Sequence, residues 1–286
     1  MEDYNYDVAF SRNKGFISTD EQTKLRNTRV AIAGLGGTGG AQVAALSRLG
    51  IGHFHLADFD EYEVKNFNRQ YGATMSTVGK KKADVAKNIV LDINPEAETH
   101  LFESGINEHN INDFLSDVDI VIDSLDFYCF KERFLLYAAA RERNLWVLTA
   151  PPIGFGFTLL CFNPEGMTFE EYFNFNLDDD EFELSVSLIA GITPKPYMLK
   201  YLNQNDIDIK EHQLPSVSPA PFIIAGVITT HICNILLSKA PPLAVPTVIQ
   251  YDALINKYRK HRFIWGMKSP LQKLKKIILR KKMAKK

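Results

Sequence analysis

The stretch that most constrains this chain is residues 29–60, RVAIAGLGGTGGAQVAALSRLGIGHFHLADFD. Val30 to Ala33 form a short apolar run that enters Gly34-Leu35-Gly36-Gly37-Thr38-Gly39. Val43, Leu46 and Leu49 then recur at helical spacing, and a second apolar run ends at Asp58. Strand, glycine turn, helix and strand in that order make a right-handed βαβ unit. The glycines let the chain turn sharply, bring backbone N–H groups against phosphate oxygens and let the helix pack closely on the strand. An acidic residue about 20 positions further on, ending the second strand, can accept from a ribose hydroxyl. Asp58 stands there. The stretch therefore predicts a nucleotide site at Gly34, Gly36, Gly37, Gly39 and Asp58. Which nucleotide is a separate question, because NAD, FAD and some ATP users share G-x-G-x-x-G.

Residues 1–17 read as an irregular polar and aromatic arm, and Ser18 with Glu21 offers a capping box for a short helix through Leu25. Beyond the βαβ unit, apolar periodicity predicts helices over 80–93, 111–115 and 131–143, with strands over 98–102, 118–122 and 146–149. This alternation predicts an α/β fold with a Rossmann-like, doubly wound and mainly parallel sheet. Further strands at 156–162, 247–251 and 257–263 extend it, and they are expected to be antiparallel. Residues 163–220 have weak periodicity, an acidic patch at Asp178–Glu181 and several prolines. They are expected to be an irregular segment that covers the substrate. Pro221–Leu237 is nearly apolar and helical. His231, Asn234 and a length of ~17 residues favour a buried core helix there over a membrane span.

At 286 residues with 45% hydrophobic content, the chain can bury one large core or two small ones. Residues 1–28 are polar, without the apolar centre of a secretion signal. Cys129, Cys161 and Cys233 are far apart and form no C-x-x-C pair, which argues against a disulfide framework or a thiolate zinc site. A soluble cytoplasmic protein is the expectation. The net charge of −1 hides an asymmetry: residues 268–286 carry nine Lys or Arg and no acid, leaving 1–267 at −10. Within that tail Leu271, Leu274 and Ile278 fall at helical spacing, with Ile277 beside them. The tail reads either as a solvated, frayed charged helix or disordered segment, or as a surface helix that docks on an anionic membrane or an acidic partner, with nucleic acid a further option.

Four further elements follow the glycine turn: Asn66-Phe67-Asn68-Arg69-Gln70, Val78-Gly79-Lys80-Lys81-Lys82, Asp123-Ser124-Leu125-Asp126 and Val248-Ile249-Gln250-Tyr251-Asp252-Ala253. Taken together and in this order, the set resembles the ThiF/MoeB/HesA family, bacterial relatives of ubiquitin-activating enzymes, over about residues 5–265. The resemblance implies attack of a carboxylate on the α-phosphate of MgATP, giving an acyl-adenylate and pyrophosphate. It makes Arg69 and Lys82 the cations at the phosphates, Asn66 and Gln70 neutral hydrogen-bonding groups, Asp58 the ribose holder and Asp126 the Mg²⁺ ligand. Physical chemistry agrees, since preset cations stabilise charge developing on phosphorus oxygens. Mg²⁺ in turn is usually held by one or two carboxylates plus phosphates. Phe10-Ser11-Arg12 matches an arm whose arginine reaches the ATP of the partner subunit, which implies a homodimer. Read singly, these residues are blander: Arg69 is a surface cation, Lys80–Lys82 a solvated run, Asp123 and Asp126 caps of the following helix. Asp60 suits a structural or a ligating role equally, while His53 and His55, alternating on a strand, read as surface or packing residues.

The chain departs from the family pattern in three places. It lacks the two C-x-x-C pairs of zinc-bearing members, so structural zinc is not expected. Residues 163–220 contain no cysteine to take the acyl group. Phe127 replaces the asparagine of D-x-x-D-N, with Lys131 as the basic residue five positions after Asp126. Cys129 is the cysteine near the phosphates; Cys161 and Cys233 lie in apolar segments and read as buried. The expected activity is ATP-dependent adenylylation of the C-terminal carboxylate of a small ubiquitin-like sulfur carrier or peptide, ending at the acyl-adenylate. An NAD-dependent oxidoreductase shares the glycine turn but has no need of Arg69, Lys82 and Asp126 together. A catalytically silent dimeric scaffold is expected to have lost one of those charges. No nucleic-acid partner is expected, and the division is an adenylation domain over 1–267 with a basic tail over 268–286.

Overall fold

The computed structural model describes residues 3–176, 178–203 and 214–284. Part of the expected cover, residues 204–213, lies outside them. Five strands run parallel in the order β3-β2-β1-β4-β5: β1 (Arg29–Ala33), β2 (His53–Ala57), β3 (Glu98–Phe102), β4 (Ile120–Asp123) and β5 (Trp146–Thr149). β6 (Pro152–Ile153) folds back on β7 (Gly156–Phe162), and β7 joins β5 antiparallel. β8 (Thr247–Asp252) and β9 (Lys257–Arg262) carry the sheet antiparallel to its edge. The doubly wound, mainly parallel sheet with an antiparallel extension is the one expected. β1 and β4 are almost continuously apolar, as strands covered on both faces must be. Edge strand β9 reads KYRKHR, and its charges discourage pairing with another chain.

The helices are α1 (Tyr6–Ala9), α2 (Thr19–Asn27), α3 (Gly37–Leu49), α4 (Lys82–Ile93), α5 (Ile111–Phe114), α6 (Phe130–Glu142), α7 (Phe169–Phe173), α8 (Glu181–Ile192), α9 (Pro219–Leu237) and α10 (Pro270–Met283). The box at the start of α2 forms: Glu21 N–H donates to Ser18 Oγ at 3.3 Å, and Ser18 N–H to Glu21 Oε2 at 2.7 Å. α3, α4 and α9 cover one face of the sheet over Ile32, Leu46, Phe54 and Ile122. α5 to α8 cover the other over Leu136, Phe162, Tyr172 and Val248.

The segment 163–220 differs from the expectation, because it holds two capped helices. Thr168 and Glu171 box the start of α7. The acidic patch is the start of α8: Asp180 caps it and Glu181 lies in its first turn, where carboxylates favour the helix dipole. α8 escaped detection because Leu184, Val186, Leu188, Ala190 and Ile192 are all buried. A helix that is apolar nearly all round shows no helical period. α9 is long and apolar enough, by length and composition, to cross a membrane. Here Ala220, Ile224, Ile228 and Ile232 bury one face of it along α3 and β7, while Phe222 stays exposed. Among the described residues of the basic tail, α10 is held to the body: Lys275 Nζ donates to Ala190 O at 2.9 Å and to Thr193 O, and Arg280 Nε donates to Glu183 Oε1 at 2.7 Å.

Candidate functional site

The carboxyl ends of β1, β2 and β4 meet where the strand order reverses, the place where open α/β sheets bind ligands. Gly34 sits at φ +89°, its N–H donating to Ala57 O at 2.8 Å, and a Cβ there would lie 2.3 Å from Ser124 O. A Cβ on Gly39 would lie 1.9 Å from Gly34 O. The chain leaving β4 forbids a side chain at Gly34, and the turn's own packing forbids one at Gly39. Gly36 and Gly37 differ, since a Cβ on either would meet nothing nearer than 3.6 and 3.7 Å, an ordinary contact. Their missing side chains leave bare backbone at the N-terminus of α3, where unpaired N–H groups and the helix dipole favour phosphate.

The flanking side chains come from three loops. Asp58 braces the turn: its Oδ2 accepts from Leu35 N–H at 2.6 Å and its Oδ1 from Asp60 N–H at 2.8 Å. Burial raises the Asp58 pKa, with Lys82 opposing. Lys82, buried at the start of α4, donates to Asp60 Oδ2 at 2.7 Å. Asp60, which the sequence left open, is therefore the partner that orients Lys82. Asn66 is turned inward; its Oδ1 accepts from Glu63 N–H at 2.9 Å and so shapes the 3₁₀ turn Val64–Asn66. Asn66 O then accepts from the N–H groups of Arg69 at 3.1 Å and Gln70 at 2.9 Å, which ties those two residues to the turn. Arg69 backs onto Gly37 and its Nη1 donates to Lys65 O and Asn68 Oδ1, both at 3.0 Å. Gln70 is buried, its Nε2 is the atom nearest Gly36, and its Oε1 has no hydrogen-bond partner. Among the described residues this buried oxygen has no donor, and it can accept only from a hydroxyl or N–H group such as a nucleotide's ribose or base carries. The bare glycine backbone and the Gln70 Nε2 donor beside it fit a nucleotide phosphate.

At the end of β4, Asp123 is buried and paired with Arg133 Nε at 3.0 Å; Tyr137 OH donates to it at 3.1 Å. Arg133 then fans out, with Nη2 donating to Leu125 O at 2.8 Å and Asp126 O at 3.0 Å, and Nη1 to Phe127 O at 3.3 Å. One guanidinium thus shapes the whole loop that carries Asp126. The Asp126 side chain is exposed and meets no hydrogen-bond or ion-pair partner among the described residues. Phe127 packs on the core edge-to-face with Tyr128, and Lys131 is exposed. Sequence reasoning missed Arg133. The available signal was an arginine on the apolar stripe of Phe130 and Tyr137, just after D-x-x-D.

Arg12 is not brought to this site. The arm folds back on its own chain, with Tyr6 OH donating to Gly50 O at 2.6 Å and Asn13 Nδ2 to Leu49 O at 3.3 Å. Those contacts are at the far end of α3, whose 13 residues span ~20 Å. Arg12 itself is exposed. Burial pushes the Cys129 thiol up to about 11 and raises Cys161 and Cys233 as well. His55 is buried with Nδ1 2.8 Å from Phe114 O and serves packing, while His53 meets Glu98 at 3.1 Å on the surface.

Residues 10–269 match the profile of the ThiF family. The chain belongs to the ThiF family. A similar ThiF-type relative is the tRNA threonylcarbamoyladenosine dehydratase of Bacillus subtilis, 39% identical over 134 residues, which are 46% of this chain and 53% of that protein. Another is the sulfur carrier protein ThiS adenylyltransferase of Escherichia coli K12, 28% identical over 148 residues, 52% of this chain and 58% of that protein. The chain thus spans little more than half the length of these curated relatives. Among solved structures, E. coli MccB has the same fold, with a TM-score of 0.67 at 21% identity over 95% of this chain and 72% of MccB. MccB with ATP gives a TM-score of 0.66 at 21% identity, over 92% and 72%.

Proposed function

We propose that this ThiF-family chain joins a carboxylate to AMP. A carboxylate oxygen attacks the α-phosphorus of ATP, the bond from that phosphorus to the bridging oxygen breaks, and pyrophosphate leaves with the electron pair. The carboxylate is the C-terminus of a small ubiquitin-like sulfur carrier or a peptide. One arrangement supports the reading: Arg69 and the Gln70 amide nitrogen lie against the bare Gly36-Gly37 backbone, and Lys82 is held by Asp60, two residues past the Asp58 that braces that turn. Lys82 and Arg69 oppose the charge that grows on the phosphorus oxygens, and fixed cations cost no reorganisation as it develops. Asp60 keeps the ammonium aimed, and Asp58 supplies a ribose acceptor while bracing the turn. Asn66 acts at one remove, by shaping the loop of Arg69 and Gln70. Asp126 fits Mg²⁺, an oxygen-seeking ion that neutralises phosphate charge when bound. No group of three or more His, Cys, Asp or Glu gathers among the described residues, so one protein carboxylate plus phosphate oxygens suits this ion.

Arg12, ~20 Å along α3 from its own glycine turn, supports a homodimer in which the arm of one copy completes the site of the other. The raised thiol pKa values support a reaction that ends at the acyl-adenylate, since a thioester needs a thiolate. A second reading follows from the B. subtilis dehydratase: the threonyl group of threonylcarbamoyladenosine carries a carboxylate, and adenylylation is one route to loss of water. The test is exchange of labelled pyrophosphate into ATP by the purified chain, with carrier proteins, peptides or modified tRNA offered in turn. Arg69→Ala or Lys82→Ala is expected to slow exchange by about 10²–10³-fold. Arg12→Ala and Lys82→Ala subunits, inactive alone, are expected to recover activity when mixed. Tight NAD binding without MgATP binding overturns the reading.

A further inference from the structure

α10 is mounted inside out. Lys275, Leu279 and Met283, spaced i, i+4, i+8, face the protein and are half-buried. Leu271, Leu274 and Ile278, spaced i, i+3, i+7, face away and are 77%, 56% and 50% exposed, with Ile277 beside them. A surface helix of a globular domain ordinarily does the reverse. Polar contacts hold the inner face, through Lys275 on the carbonyls of Ala190 and Thr193 and Arg280 on Glu183. The apolar face is therefore presented by a docked element. The link before it is also pinned: Gly266 at φ +51° passes against Tyr172 O, and Met267 is fully buried. Ile264 and Trp265, 63% and 67% exposed, project from that fixed link.

We propose that this face docks the protein on an anionic lipid surface. Charge selects that occupant. No Asp or Glu follows Asp252, and Lys268, Lys273, Lys281 and Lys282 border the apolar strip, all exposed. A second copy seated face to face would set these cations against their own images. A nucleic-acid backbone would use the lysines and leave Leu271, Leu274, Ile278 and Trp265 in water. An apolar strip edged with lysines and preceded by a tryptophan suits the boundary between headgroups and acyl chains, where all of these groups are satisfied at once.

The experiment is sedimentation of the full chain with phosphatidylcholine vesicles and with phosphatidylglycerol-rich vesicles. Binding is expected only to the second, weakening as salt rises. Lys281→Gln with Lys282→Gln is expected to weaken it about 25-fold, and Leu274→Asn with Ile278→Asn by about 100-fold or more. These positions are exposed, so melting temperature and pyrophosphate exchange should not move. In a Trp146→Phe background Trp265 is the one remaining tryptophan, and its emission is expected to shift to the blue on anionic vesicles. Equal binding to both vesicle types, no binding to either, or binding without the shift overturns the proposal. So does tRNA binding that the lysine pair abolishes and the Leu274/Ile278 pair leaves intact. A change of oligomeric state caused by the Leu274/Ile278 pair gives the face to a second copy, which also overturns it.

Discussion

Arg133→Met tests whether one buried cation holds the loop that carries Asp126. The two side chains of the Asp123–Arg133 pair are 2% and 7% exposed, so neither charge is shared with water. Removing the guanidinium leaves the Asp123 carboxylate, among the described residues, with only Tyr137 OH and Leu125 N–H as donors. It also strips donors from the carbonyls of Leu125, Asp126 and Phe127. Breaking one side of a buried pair costs about 3–5 kcal/mol, chiefly because the remaining charge stays buried and uncompensated. The carbonyls lie on a partly exposed loop where water can replace the lost donor, so they add little. In a chain of this size each kcal/mol moves the midpoint of unfolding by roughly 2–4 °C, which places the expected fall at roughly 6–20 °C.

Thermal and urea unfolding of Arg133→Met, Asp123→Asn and the double variant form a cycle. The double variant leaves no buried charge and is expected to be less destabilised than the sum of the singles, by roughly 1–3 kcal/mol. Arg133→Lys keeps the charge but not the planar fork that spans three carbonyls. It is expected to stay folded while raising KM for MgATP through a displaced Asp126. A single variant within about 1 kcal/mol of the parent, or a strictly additive cycle, refutes the reasoning.

Gly39→Ala is expected to cost about 3 kcal/mol or more, because its Cβ would fall 1.9 Å from Gly34 O, while Gly37→Ala, in the first turn of α3 with no atom nearer than 3.7 Å, keeps the melting temperature and weakens ATP binding. Calorimetric unfolding beside nucleotide titration separates the two. Burial, with the nearby Lys195 charge adding to it, lowers the Lys275 pKa from 10.5 to about 8. The docked tail therefore disfavours the charged ammonium; the penalty is full below about pH 8 and gone above pH 10.5. Hydrogen exchange in α10 is expected to show docking tighten across that window, and Lys275→Met to flatten the dependence. Cys129→Ser is expected to leave pyrophosphate exchange and turnover unchanged, since a thiol near pKa 11 is not a thiolate at neutral pH, and mass spectrometry is expected to find no thiol-labile adduct on it.

Residues whose duty is discharged within a turn or two of chain were readable in advance. Gly39 answers to a clash inside one turn, Ser18 and Glu21 to a box three residues long, and β3 and β5 to short runs bounded by breakers. What could not be read depends on partners that only the fold supplies. Lys82 meets Asp60 across 22 residues, and Arg133 finds Asp123 only because α6 folds back across the end of β4. Arg280 meets Glu183 across 97 residues, and that pairing turns a tail that scans as a loose charged helix into a fixed one. Asn66 and Asp58 show the subtler limit. Each sits where a nucleotide-binding residue is expected, yet each also secures the backbone that presents the site, through Glu63 N–H and Leu35 N–H. Loss of either side chain should therefore disturb ATP binding through loop geometry as well as through a lost contact. Lys82→Ala removes a charge and leaves the glycine turn braced by Asp58, so it is the variant that reports on the chemistry itself.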